Sequence, residues 1–408
     1  MVRSKVKKLK DLLVNTIGDD FEIIEENYKM LTPPGEHYGS IMLAVDVAIK
    51  RPNKKEEVLN LVAKLIPVHE MLRNVFNIGI TFKKEVSAYL DAIPALIQLQ
   101  EEYNFPENEI LDMFPRCYGA RISLDQNKND VDDNAAIIFE NLKVQGYIME
   151  DRMVGFDLKH AELIVRDLAK FHSVGIALRK LKPGVFKEKV GPSIVQCPSL
   201  ERLPLSFREC VLEFTSVTEE TKSYVQRLKD FMESSLEMLR KPQSPPSDAF
   251  ATAIHSDYWV NNTLVLRDKN GNPIKNRMVD MQLLSYASCV RDLLFFLFTS
   301  VINSVLDENY DNLIKLYHDE FIYNMRYFGL DLEQFSWDAY MNEIEDIGPQ
   351  EAYHIIVMIK PIFTERNKIT NSLEDFQESD WNREDLLGES YRRKLRDTVL
   401  ALDRRNWL

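Results

Sequence analysis

Ile254-His255-Ser256-Asp257-Tyr258-Trp259-Val260-Asn261-Asn262, followed by Met278-Val279-Asp280-Met281-Gln282, is the stretch on which the reading of this chain turns. It spaces a histidine, a carboxylate and a carboxamide as H-x-D-x-x-x-x-N and then returns with D-x-Q. Asn270-Gly271, between the two pieces, is a strong turn signal flanked by strand-like runs, so a hairpin is expected to bring Asp280 back beside Asn262. One carboxylate and one carboxamide oxygen suit magnesium, which keeps several waters and takes the rest of its shell from one or two carboxylates and a nucleotide. A carboxylate that opens such a loop can accept the hydrogen bond of an attacking hydroxyl. The spacing resembles the catalytic and metal loops of phosphoryl transfer, where the protein positions groups and stabilises charge. Asp257 is then the candidate base, Asn262 and Asp280 the candidate metal ligands, and His255 a residue that shapes the loop. For the motif alone the plainer reading stays open, because Asn and Asp crowd into ordinary turns. A hydrolytic triad made of His255, Ser256 and Asp257 is discounted, since triads are assembled from separated segments.

Such a loop calls for a lysine on an upstream strand and a glutamate on the helix after it. Ile41, Leu43, Val45, Val47 and Ile49 alternate with Met42, Ala44, Asp46, Ala48 and Lys50, the period of a half-buried strand. After a charged linker, Arg51 to Glu57, a second strand from Val58 to Pro67 puts Lys64 on the face of Val62 and Ile66. An ammonium among apolar neighbours needs a partner. The helical segment Phe82 to Leu90 offers Glu85, on one face with Phe82 and Tyr89, for an ion pair that would fix Lys64 against nucleotide phosphates. Upstream, Pro33-Pro34-Gly35-Glu36-His37-Tyr38-Gly39-Ser40 is either a plain turn or a loop over the phosphates, with Gly35, Gly39 and Ser40 as its contacts. Ala135 to Phe139 reads as a buried strand that exits at Glu140-Asn141-Leu142. This is the expected hinge, where adenine is read by backbone groups near Glu140 and Leu142. The lobe boundary then divides residues 1–141 from 142–408.

The ordered set of pieces resembles the ecdysteroid kinase-like family, also called the CHK kinase-like family. The matching residues are Gly35 to Ser40, Val62-Ala63-Lys64, Phe82 to Tyr89, Pro115 to Tyr118, Phe139 to Leu142, Asp151-Arg152 with Gly155, Leu168 to His172, His255 to Asn262, Val279 to Gln282 and Arg291 to Leu293. The family is similar to choline kinases and aminoglycoside phosphotransferases. The resemblance implies an α+β, two-lobed protein-kinase-like fold with a small β-rich N-lobe and a larger, mainly helical C-lobe. It also implies ATP- and Mg2+-dependent phosphorylation of a small-molecule alcohol, an ecdysteroid or another apolar or xenobiotic alcohol. Two positions depart from the family's pattern: Ser256 stands where glycine is usual, and Met281 where phenylalanine is usual. Ser256 adds a Cβ to a tight loop, whereas Met281 is a volume-tolerant apolar exchange.

Asp292 stands only twelve positions after Asp280, and Leu293 to Phe298 then begin a buried helix. A protein kinase needs an activation segment in that interval. The acceptor is therefore expected to be small. Asp292 can cap the apolar helix, brace the catalytic loop, or do both. A choline-type substrate would call for an aromatic cage, for which Tyr258, Trp259, Trp337, Tyr340 and Tyr353 are available, whereas a sterol needs only an apolar pocket with a few polar anchors. A non-enzymatic carrier or pseudokinase is the other alternative, but Lys64, Glu85, Asp257, Asn262 and Asp280 are all present. A helical scaffold would leave that polar set unexplained.

The 408 residues exceed one ordinary hydrophobic core, and the net charge of −13 argues against nucleic acid as a partner. The basic start, Met1 to Lys10, reads with Leu12-Leu13-Val14 as a helix with a solvated face; contact with anionic lipid is its alternative. It lacks the apolar core of a signal peptide. The longest strongly apolar run, Leu293 to Phe298, falls far short of the ~20 residues that span a bilayer, so a soluble cytoplasmic protein without stable membrane insertion is expected. Cys117, Cys197, Cys210 and Cys289 show no metal or disulfide spacing and fit buried thiols in a reducing compartment. His172, on a helix expected from Asp157 to Leu178, reads as a core contact. Lys180 to Pro204 is expected as a long loop, Arg240 to Ser247 as a connector, and the region from Val301 onward as helical with a polar break at Asn371 to Asp385.

Overall fold

The period-two runs are strands in the computed structural model, which describes residues 5–31, 39–125, 127–196, 205–240, 246–365 and 387–408. β1 (Glu22–Met30), β2 (Ile41–Lys50), β3 (Glu57–Leu65), β4 (Cys117–Arg121) and β5 (Ala136–Glu140) form an antiparallel sheet in the order β1-β2-β3-β5-β4. Alternation sorts its two faces. Leu43, Val45, Val47, Ile49, Leu61, Ala63 and Leu65 bury against Val6, Leu9, Leu12 and Leu13. The last three lie on α1 (Leu9–Ile17), so the apolar side of the basic N-terminal helix covers the outer face of the sheet while Lys7 and Lys8 stay exposed. Gly119 of β4 permits this approach: a Cβ there would stand 2.0 Å from the Leu12 carbonyl oxygen. Val62, Lys64 and Ile66 occupy the other face.

α2 (Glu70–Val75) leads into α3 (Ile78–Ser87), which lies against that face through Ile78, Phe82 and Glu85. α3 starts four residues before the expected Phe82 and runs through a π-helical turn, Ala88–Ala92, into α4 (Ile93–Glu102). Pro94 explains the π turn. It has no N–H to give Leu90, and the Ile93 N–H reaches five residues back to Ala88.

After β5 the chain passes through Glu140-Asn141-Leu142 to β6 (Ile148–Met149) and α5 (Leu158–Leu181), which packs against α11 (Asn303–Tyr327). The long loop expected from Lys180 is not one: α5 runs to Leu181, followed by α6 (Pro183–Val185), a second π-helical turn at Phe186–Val190 and a 3-10 turn at Gly191–Ile194. Proline and glycine end the long helix, but buried Phe186 and Val190 give the short turns an apolar side. Residues 197–204 lie outside the described residues. α7 (Leu205–Val217), α8 (Glu219–Lys222) and α9 (Val225–Arg240) follow. The connector expected at 240–247 falls mostly outside the described residues, and the break expected at 371–385 wholly so.

β7 (Ala251–Ile254) pairs with β10 (Ser285–Ser288), and β8 (Thr263–Arg267) pairs with β9 (Pro273–Met278), with β6 on its far side. The core of the larger part is α10 (Val290–Ser300), buried at every residue but Arg291, with α11, α12 (Trp337–Phe363) and α13 (Glu389–Asp403) around it. The architecture is a small β-rich lobe beside a larger helical one, the kinase-like α+β fold. Among the described residues no helix is long and apolar enough to cross a membrane.

Candidate functional site

Lys64 sits mid-sheet, opposite Met42 of β2 and Ile137 of β5, and points at α3. Its ammonium is 2.6 Å from Glu85 Oε2 and 2.7 Å from Asp280 Oδ1, so residues far apart in sequence converge on one buried charge. Burial alone would lower the Lys64 pKa, but the carboxylates of Asp280 and Glu85 outweigh it and hold the ammonium above its ordinary range. Glu85 is pushed up to about 7 by burial, against the pull of Lys64 and with the help of Asp280. α3 also packs on the 3-10 turn Met281–Leu283, which ties the helix bearing Glu85 to the residues after Asp280. Asp280 has φ 68°, the left-handed region that Asp tolerates better than most residues.

The hairpin closes as the turn signal requires. Thr263 pairs with Met278, the Val279 N–H donates to the Asn262 carbonyl at 3.0 Å, and Asp280 arrives beside the catalytic loop. The Asn262 side-chain amide donates to the Asp257 carbonyl at 2.7 Å and to Asp257 Oδ2 at 3.1 Å, which leaves its own oxygen for a cation. Asp257 Oδ1 is buried with no hydrogen bond of acceptable geometry, although the Trp259 side chain favours its charged form. Burial first, and then the charge of Asp280, raises the Asp257 pKa well above the usual carboxylate range.

His255 is a structural part of the loop. Its Nε2 donates to the Val279 carbonyl at 2.9 Å, and its Nδ1 accepts the Asp257 N–H at 3.3 Å, a pattern that requires a neutral ring. Burial lowers its pKa accordingly. Asp292 braces the loop from below. One oxygen accepts the His255 N–H at 2.6 Å and the His172 Nε2–H at 3.2 Å, and the other accepts the Ser256 N–H at 2.8 Å. Burial would raise its pKa, but these donors hold it below the ordinary value. Asp292 does not cap α10, whose N-cap is Cys289. His172, expected only as a core contact, is fully buried and also bonds the Tyr317 hydroxyl at 2.8 Å. The motif from Leu168 to His172 does not disclose these partners, which are over a hundred residues away.

Ser256 has φ 67°, and this accounts for the glycine usual at its position. Its hydroxyl lies 2.6 Å from that of Ser285, an interaction glycine cannot make. Ser256→Ala keeps the strained Cβ and loses the hydrogen bond, so it is expected to be less stable than the wild type by about 1 kcal/mol, with Ser256→Gly above it, as denaturant titration would show.

A further anchor has no signature in the sequence. The Asn276 amide donates to the Tyr258 hydroxyl at 2.9 Å and to Asp167 Oδ2 at 3.2 Å, joining the catalytic loop, the hairpin and α5. Asp167 keeps some surface exposure, yet burial of its carboxyl pushes the pKa up to about 7. The folded protein therefore holds a proton that the unfolded chain releases in the ordinary carboxylate range, and this stabilisation is lost as pH rises toward about 7. Asp167→Asn is expected to gain stability relative to the wild type as pH rises from 5 to about 8, and denaturation at the two pH values checks it.

Glu140 accepts the Arg116 N–H at 2.9 Å and the Gln145 amide at 2.6 Å, while Leu142 is buried with Tyr147 and Leu264. Both lie at the exit of β5, with their side chains engaged in these local contacts. Gly39 lies over Gln282, where a Cβ on the glycine would stand 3.6 Å from the Gln282 amide nitrogen, and Ser40 is buried beside it. Gly39 therefore borders the turn that follows Asp280. Gly35 lies outside the described residues. Of the aromatics considered for a cage, Tyr258 and Tyr340 are packed in the core and only Trp337 is exposed.

The residues fit a magnesium–nucleotide pair. Glu85 and Asp280 crowd two carboxylates around one ammonium, and the charge of Asp280 raises the pKa of both Glu85 and Asp257. A cation at Asp280 and the Asn262 oxygen would relieve that repulsion. Both donors are the hard oxygens that magnesium takes, with the remaining positions left to water and phosphate.

The ecdysteroid kinase-like family model matches residues 34–330. No curated protein matches the sequence. Solved structures similar to the chain include an ethanolamine kinase of Plasmodium vivax, 14% identical over 97% of this chain and 85% of that one, with a TM-score of 0.38. A choline/ethanolamine kinase family protein of Mesorhizobium loti is 11% identical over 96% and 98%, with a TM-score of 0.35. An amicoumacin kinase in complex with AMP-PNP, Ca2+ and its ligand is 11% identical over 92% and 88%, with a TM-score of 0.41. The family match takes in well over half of the 408 residues, and the chain belongs to the ecdysteroid kinase-like family, which is of the small-molecule kinase type.

Proposed function

We propose that the protein is an ATP- and Mg2+-dependent kinase that phosphorylates a hydroxyl of a small molecule, with an ecdysteroid or a related apolar alcohol as the acceptor class. The observation that carries this reading is the convergence of Lys64, Glu85 and Asp280 at 2.6 and 2.7 Å, next to Asp257 held by Asn262. Lys64, fixed by Glu85, holds the α- and β-phosphates. Asp280 and Asn262 hold magnesium, which when bound neutralises charge on the transferring phosphoryl group. Asp257 orients the acceptor hydroxyl and takes its proton as the new oxygen–phosphorus bond forms and the bond to ADP breaks. Gly39 and Ser40 close over the phosphates, and adenine lies along Glu140 to Leu142. His255 and Asp292 set the shape of the loop.

The completeness of this set supports an enzyme over a carrier that has lost turnover, and the family supports an ecdysteroid over choline. The short interval between Asp280 and Asp292 supports a small acceptor. The test is incubation of the purified protein with labelled ATP, magnesium and separate ecdysteroids, sterols, plant phenols, choline and sugars. Label is expected on an ecdysteroid or sterol hydroxyl. Label on choline or a sugar alone would overturn the acceptor class, and transfer to none, without nucleotide binding, would favour the carrier.

A further inference from the structure

Two π-helical turns lie against each other at the junction of the lobes, and both have the same origin. Ala88–Ala92 closes with the Ile93 N–H on the Ala88 carbonyl, and Phe186–Val190 with the Gly191 N–H on the Phe186 carbonyl. Each closing residue precedes a proline, Pro94 and Pro192, whose ring displaces the carbonyl four residues back and supplies no donor to it. π turns are rare, and two in contact are a specific construction. The first continues directly from α3, three residues after Glu85. The second continues into Gly191–Ile194, which packs against α3, against the first π turn and against β10. Val190 and Ser193 are fully buried, with the Ser193 hydroxyl on the Val190 carbonyl at 2.7 Å. At the rim, Lys189 reaches Asp91 at 3.4 Å, and Phe186 meets the ring of Tyr286 of β10 edge-on.

We propose that Phe186–Ile194 is a strap that positions Glu85, holding α3 against the strand that follows the metal loop so that the Lys64–Glu85 pair stays closed. In a protein kinase, placement of the corresponding helix is linked to an activation segment. Here the interval from Asp280 to Asp292 has no room for one, and an excursion from the end of α5 fills the space beside α3. Because the strap is packed rather than phosphorylated, the pair is held shut in the resting protein. Val190, buried at the end of the second π turn and joined through its carbonyl to Ser193 of the segment that packs on α3, acts through Glu85 as a positioning residue.

This inference rests on the proposed nucleotide role of Lys64, and the experiment separates the two. Mg·ATP affinity is measured for the wild type, Val190→Ala, Glu85→Gln and the double variant, together with hydrogen exchange of the α3 amides. Val190→Ala is expected to weaken Mg·ATP binding about tenfold in the wild-type background and less than about twofold once Glu85 is glutamine, the non-additivity of residues that act as one unit. Exchange within Ile78–Ser87 should quicken at least about tenfold in Val190→Ala, while the core of α5 stays unchanged and Val190→Ile restores the wild-type rate. Equal losses in both backgrounds, or unaltered exchange in α3, would overturn the strap. If Glu85→Gln itself binds Mg·ATP as tightly as the wild type, the nucleotide reading fails, and the exchange measurement alone decides the strap.

Discussion

Asp280→Asn is expected to lower kcat at least about a thousandfold, roughly 4 kcal/mol of transition-state stabilisation, while the protein stays folded. The loss follows from removing the one charged ligand proposed for magnesium. Stability should change little, because Asp280 raises the pKa of both Glu85 and Asp257, so neutralising it relieves repulsion as it gives up the contact with Lys64. Lys64 keeps Glu85 at 2.6 Å. Asparagine suits the left-handed backbone at φ 68°, whereas Asp280→Ala adds a strain of about 1 kcal/mol at the same loss of activity. Circular dichroism and turnover measured together check this. Full activity in Asp280→Asn would remove the metal assignment.

Asp292→Ala should damage both fold and activity. It strips the acceptor from the buried His255 N–H and His172 ring and from the half-buried Ser256 N–H, which costs about 3–5 kcal/mol because donors are left unsatisfied. The same two N–H groups belong to His255 and Ser256, the residues that set where Asp257 stands. A shift of the loop by about 1 Å is enough to reduce kcat on the order of a hundredfold. His172→Phe removes one donor and no backbone acceptor, so its stability loss should be smaller and its activity closer to the wild type. Denaturant midpoints for the two variants, set beside their kcat values, give the comparison.

The legible features are those with short-range signatures. Alternation marks β2 and β3 and the face of Lys64, and Asn270-Gly271 marks the hairpin that returns Asp280. Lys64 and Glu85 can be paired from order alone, since a buried ammonium needs a carboxylate. The contact between Lys64 and Asp280 has no such signature, because strand and metal loop meet only through the closing of the two lobes. His172 and Asp167 are illegible for a similar reason: each lies on a long amphipathic helix where an inward polar residue looks like any core position, and its partners come from distant segments. The π turns escape because a proline one residue after a helical run reads as a break, whereas here the helix absorbs it by lengthening one hydrogen bond. Ser256 reads as an irregularity until its backbone angle shows why glycine is usual there and its bond to Ser285 shows what the hydroxyl adds.

In the proposed reaction Asp257, beside the residues that converge on Lys64, carries the phosphoryl-transfer step. The most direct test is single-turnover transfer of the γ-phosphate from labelled ATP to the identified acceptor, comparing the wild type with Asp257→Asn under saturating magnesium. Asp257→Asn is expected to bind Mg·ATP normally and to transfer label at least about a hundredfold more slowly. Transfer at the wild-type rate by Asp257→Asn would contradict it.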